Sequence, residues 1–223
     1  MSEDRILFSK TSTARYISHL DLMRTLQRAF LRAGVTIRHT EGFHPHPYVA
    51  IPLPLPLGFS SQCEILEFGL VSGATREALP LRLNKVLPAG ITVHHCYEGG
   101  NAFRHLTFVR YEVTMEFDAL VADQAAVAFQ ELLGQESLVV LKRSKKAKSG
   151  QTEVDLIPLI HRVDEVLPDG RVLRMDLVLS AQNPGLNPAL LIQAFRDEYP
   201  SLSPIYVSFH RREIFDEEMR PYL

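Results

Sequence analysis

The chain has 223 residues, 46% of them hydrophobic and 22% charged, with a formal net charge of −2. That composition describes a globular chain with a real core, long enough for one large or two small domains. The near-zero charge excludes wholesale electrostatic binding to nucleic acid, so any such contact must be a local patch.

Residues 5–9 read as a short strand with Ile6 and Phe8 on one side, and 11–16 as a polar connector carrying Arg15 after Lys10, both candidate nucleic-acid or partner contacts. Ser18 offers an N-cap hydroxyl, and Asp21 sits where a capping box places its acid. The helix that follows is expected to run to Ala33 and stop at Gly34, with Leu22, Met23, Leu26, Ala29, Phe30 and Ala33 as its buried stripe. Residues 35–39 read as a strand, and 40–47 as a loop of alternating histidine and proline. Residues 48–53 read as a strand that Pro52, Pro54 and Pro56 confine to an edge or end early. Strands are expected at 64–70 and 91–97, with a helix between them that opens at Thr75 or Pro80 and ends near Leu87. Glu98-Gly99-Gly100-Asn101 reads as an interdomain linker.

The order of elements then recurs. A long alternating strand is expected at 106–117, a helix at 123–133, short strands at 138–142 and 154–156, and a hairpin of 159–166 with 172–180. Asn187 caps a helix with Pro188 at its first position, and 205–213 forms the last strand. The fold class expected is therefore α+β, as two tandem ferredoxin-like (βαββαβ-type) units with antiparallel sheets. Their domains are 1–98, with the His-Pro loop, and 102–223, with a basic loop. A single mixed α+β domain with an extended sheet is the alternative.

Three features carry charge or chemistry. Arg24, Arg28 and Arg32 recur at steps of four on the first helix, drifting about 40° per step. Guanidinium groups bind phosphates bidentately, so a polyanion would relieve their mutual repulsion; pairing with acids of a neighbouring element is the plainer reading. In Gly42-Phe43-His44-Pro45-His46-Pro47 each proline extends the residue before it, so His44 and His46 can project together. That pair could act in acid–base cleavage of RNA, without a cofactor and with His19 as a third member, or contact a base, phosphate or partner. A metal there would need a third ligand from His19, His39 or Glu41, and the spacing matches no zinc signature, so no metal site is assigned. Lys142, Arg143, Lys145, Lys146 and Lys148 form the densest basic run, suited to phosphate-backbone contact. Together with the histidine loop these basic features could line one cleft.

Cys63 and Cys96 fit no zinc or redox spacing and read as buried free thiols of a reducing compartment. The first ten residues, MSEDRILFSK, hold no signal-peptide core, and no run approaches the ~18–20 apolar residues of a membrane span, so a cytoplasmic location is expected. There is no Walker loop, GxGxxG, nucleophile elbow or cysteine cluster for iron and sulfur, and no cofactor is expected. A binding or accessory role fits this pattern better than any identifiable reaction.

One resemblance adds to this reading. Ile6-Leu7-Phe8-Ser9-Lys10, Tyr16-Ile17-Ser18-His19-Leu20-Asp21-Leu22-Met23-Arg24, Gln27-Arg28, Glu41-Gly42-Phe43-His44-Pro45-His46-Pro47 and Leu55-Pro56-Leu57-Gly58 resemble the uncharacterised bacterial radical-SAM-associated (radical-SAM-linked) protein family. Glu153-Val154-Asp155-Leu156-Ile157-Pro158-Leu159-Ile160 is similar to that family's second marker. The family occurs as a separate chain or fused behind a cobalamin-type radical-SAM enzyme, with genes near those for ribonuclease G and ribosomal proteins. The resemblance thus implies a radical-SAM partner and an RNA setting, and carries over Lys10, His19, Asp21, Arg24, Arg28, His44 and His46 as motif residues. The function expected is an accessory RNA-binding adaptor. The alternatives are a metal-independent endoribonuclease using His44 and His46, and a protein-only scaffold for the partner.

Overall fold

Alternation along the first strand sets one core. The computed structural model describes residues 3–143, 150–182 and 184–222. The chain divides into two units. One comprises the described residues up to His105 with His210–Glu213 and the final Pro221 and Tyr222; the other comprises Leu106–Phe209 and Ile214–Arg220. The division falls later than the linker at 98–101, and the first unit reclaims two short segments that the sequence assigns to the second domain. Among the described residues the fold is mixed α+β, with mostly antiparallel strand pairing and four α-helices.

In the first unit, β1 (Asp4–Lys10) lies between β4 (Ser60–Phe68) and β6 (Ile91–Glu98), antiparallel to both. The short β3 (Val49–Ala50) pairs with the far edge of β4. Ser60 and Ser61 of β4 pair in parallel with His210 and Arg211. Ile6, Phe8, Leu66 and Phe68 form the buried core with Leu22, Leu26, Ala29 and Phe30 of α1 (His19–Arg32). Phe30 and Phe68 meet with ring centroids 4.8 Å apart. Each of the Ile, Leu and Phe side chains contributes about 1.5–3 kcal/mol by leaving water. A two-stranded ribbon of β2 (Thr36–Ile37) and β5 (Leu70–Ser72), and α2 (Leu79–Asn84) with proline in its first turn, complete the unit. The strands expected at 35–39 and 48–53 shrink to two residues each: the His-Pro loop separates them, and Pro52, Pro54 and Pro56 cannot donate to a ladder.

In the second unit the strand order is β10 (Ile160–Asp169), β11 (Val172–Ser180), β7 (Phe108–Glu116), β12 (Tyr206–Phe215). Val109, Tyr111, Val113 and Met115 alternate inward from β7, against Leu173, Met175, Leu177 and Leu179 of β11, and all are buried. Phe129 of α3 (Ala122–Leu133) and Phe195 of α4 (Pro188–Glu198) are buried with centroids 5.5 Å apart. Asn187 caps α4 by accepting from the Ala189 N–H, as its position before Pro188 predicts. A separate ribbon pairs β8 (Val139–Arg143) with β9 (Gln151–Asp155). Cys63 is a buried free thiol and Cys96, expected to be buried too, is half-buried; desolvation pushes each thiol up to about 12. No helix among the described residues is long and apolar enough to cross a membrane.

Candidate functional site

Helix α1 is fixed at both ends by local chemistry. Ser18 Oγ accepts from the Asp21 N–H at 3.2 Å, and the Ser18 hydroxyl donates to Asp21 Oδ2 at 2.7 Å. The acid therefore closes the cap through the hydroxyl, where the sequence pattern predicted the cap amide. At the other end Gly34, at φ +65°, lets the Gly34 N–H reach Leu31 O and the Val35 N–H reach Phe30 O, the Schellman arrangement. Arg82 adds a donor to Ala33 O at 2.6 Å.

The His-Pro loop is anchored at its base. His39 and Pro47 form an antiparallel bridge, the Thr40 N–H donates to His46 O at 2.8 Å, and the Tyr48 N–H donates to Arg38 O at 2.7 Å. Gln27 of α1 donates from Nε2 to Pro47 O at 2.8 Å, tying the loop to the helix beside the arginines. His46 Nδ1 lies 3.1 Å from Thr40 Oγ1 and 3.2 Å from His44 O. A carbonyl only accepts, so the contact with His44 O is a hydrogen bond when Nδ1 carries the hydrogen. Phe43 at the loop tip is 100% exposed.

Between the helix and the loop base lies a groove of about 480 Å³. Buried Phe30, Val35 and Ile37 form its apolar floor. Arg24, Arg28 and the exposed Leu31 stand along the helix side, and His39 and Pro47 close the loop side. Arg24 is paired with Asp21 at 3.2 Å in an exposed contact, worth little in water. Arg28 has no ion-pair partner among the described residues. Hydrogen bonding from Ser18, then from Arg24, holds the Asp21 carboxyl below its usual range.

The other sequence-predicted residues scatter. Arg32 leaves the stripe and donates to Val86 O at 2.9 Å. Arg15 stacks on the exposed Tyr16 ring, 4.8 Å from its centroid, and donates to its hydroxyl. Lys10, a candidate nucleic-acid or partner contact by sequence, is instead buried: it is 1% exposed and donates to Arg15 O at 3.2 Å and Ile17 O at 2.9 Å. His19 opens α1, and neither it nor His44 and His46 line the groove. Among the described residues no three His, Cys, Asp or Glu side chains gather as a metal site, so His19, His39 and Glu41 supply no third ligand to the loop histidines. Lys142 is exposed on β8; Lys145, Lys146 and Lys148 lie outside the described residues, and of Arg143 only the backbone is described. Asp155 accepts from the Leu138 and Ile157 N–H groups and the Ser137 hydroxyl.

Sequence reasoning missed a second cluster. Arg211 donates to Glu64 Oε1 at 2.8 Å and to Leu53 O at 2.8 Å, with both ionic side chains almost wholly buried. Glu64 shares its face of β4 with Leu66 and Phe68, and its charge acts on Lys10. Burial lowers the Lys10 ammonium from its usual range, and Glu64 opposes that shift. No local signal in the sequence pairs residues 147 positions apart.

The fold defines an α+β protein with a basic, partly apolar groove. A solved structure is similar to it: a chain of the crystal structure of a Cbf5-Nop10-Gar1 complex, at a TM-score of 0.50 and 10% identity over 96% of this chain. This chain spans 50% of that chain's length, and the likeness concerns the fold alone. Comparison with curated proteins finds no match. Residues 4–188 match the model of a family described as an uncharacterized protein conserved in bacteria (DUF2344), and the chain belongs to that family.

Proposed function

We propose that this chain is an accessory RNA-binding protein, an adaptor that presents RNA or a ribonucleoprotein to a separate radical-SAM enzyme. The observation that carries the RNA half is the groove: two guanidinium groups on one helix face stand over an apolar floor, and Arg28 has no acid among the described residues to neutralise it. Arginine forks match phosphate oxygens, and a patch of this size suits a chain whose net charge is −2. The radical-SAM half rests on the motif resemblance. Strand orders β6-β1-β4-β3 and β10-β11-β7-β12 support reading both units as ferredoxin-like. Anisotropy titrations with labelled tRNA and rRNA fragments at low salt test the RNA half, and no binding there overturns it. A pull-down from native cells, split into nuclease-treated and untreated halves, tests the partner. Retention of a radical-SAM enzyme in the treated half favours a protein-only scaffold.

A further inference from the structure

We infer that the groove between α1 and the loop base holds one unpaired nucleotide of a single-stranded RNA, its base against Leu31 and Pro47 and its phosphate on Arg28. This rests on the RNA reading above and narrows it to a strand class and a contact. A volume of about 480 Å³ lies in the ~300–1,000 Å³ range of small-molecule pockets, the scale of one nucleotide. A duplex hides its bases in the stack and offers such a groove only backbone, which leaves the exposed Leu31 at its edge in water. An unpaired nucleotide offers both halves of the complement, a flat face for Leu31 and Pro47 and an anion for the Arg28 fork. Leu31 supports this directly: it is 78% exposed on a helix whose other apolar residues are mostly buried, and it stands at the groove edge one turn from Arg28. His39 lies at the opposite wall, where a ring nitrogen can meet a base edge. Gln27 is spent on Pro47 O through its amide nitrogen, which holds the walls in place and leaves Oε1 as an acceptor.

The test uses the whole chain and three labelled probes of one sequence: a single-stranded 12-mer RNA, its duplex, and the strand with its bases removed but every phosphate kept. The expected order is single strand about tenfold tighter than duplex, with the abasic strand falling to the duplex level. Leu31→Ser weakens the base-bearing strand several-fold and leaves the abasic strand unchanged, while Arg28→Ala weakens both. Leu31 and Arg28 are exposed, so both variants are expected to fold, and circular dichroism checks this. Equal affinity for all three probes, or a Leu31→Ser variant that binds like the parent, overturns the inference and leaves RNA binding standing. Variants that keep RNA binding but lose a protein partner also overturn it, in favour of a protein-docking groove. No binding of any probe at low salt removes the RNA reading itself.

Discussion

Two clusters in the first unit use the same residue types in opposite ways. Lys10 and Arg211 are enclosed with Glu64, and backbone carbonyls of Arg15, Ile17 and Leu53 take their hydrogens. Arg24 and Arg28 stand in water along a groove, with a single exposed acid beside Arg24. The enclosed charges join strands and turns distant in sequence, so their removal is felt as reduced stability. The open charges stabilise almost nothing, and in the proposed function an RNA phosphate sits on them. Motif membership alone does not separate the two, since Lys10 and Arg28 belong to the same run of motif residues.

The enclosed cluster should give the largest effects. Arg211→Leu strands the Glu64 carboxylate, whose Oε2 already has no hydrogen-bond partner among the described residues, and is expected to cost about 3–5 kcal/mol in urea unfolding. Replacing Glu64 by leucine as well should recover much of that loss. Lys10→Met keeps the apolar stem but takes its donor from Ile17 O, while Arg15 O keeps the Gly58 N–H, at roughly 1–3 kcal/mol. Because burial lowers the folded-state value of Lys10, the unfolded chain holds its proton to higher pH. Stability therefore rises as pH climbs from the folded value toward the unfolded one near ~10.4, and Lys10→Met should flatten that rise.

Smaller effects are expected around the open charges. Asp21 is lowered in the folded state, so its contribution is present above an unfolded value of about 3.9 and is lost as pH falls through the folded value. Asp21→Asn should be less stable than the parent at neutral pH, and the two should converge in acid. Phe43→Ala should change stability by no more than about 0.5 kcal/mol, since the ring touches water on every side. A larger loss would show that the loop tip is part of the packing.

What could be read from residue order was local. The cap of α1, its buried stripe and its stop at Gly34 each depend on residues within a few positions, and the proline at the start of α4 signals its own place. The extent of β4 was harder, because Ser60 and Ser61 pair with His210 and Arg211 from the far end of the chain, and Ser61 also with Lys10. The arginine stripe was half legible. A drift of about 40° per step carries Arg32 well off the line of Arg24, enough to reach Val86 O and leave the groove. The groove itself was hidden, since residue order does not bring Pro47 and His39 beside the face of α1. Lys10 misled because a lysine at the end of a strand reads as exposed until the turn that covers it is known.

The role of the open arginines can be measured by the salt dependence of single-stranded RNA binding. The parent chain is compared with the Arg24→Ala/Arg28→Ala double variant, each first shown to unfold at the same temperature. Binding by the parent is expected at low salt, with the variant at least tenfold weaker. The variant's slope of log K against log salt should also be shallower by about 0.7 for each phosphate that is no longer neutralised. Equal affinity and equal slope for the two proteins would contradict a phosphate-binding role for Arg24 and Arg28.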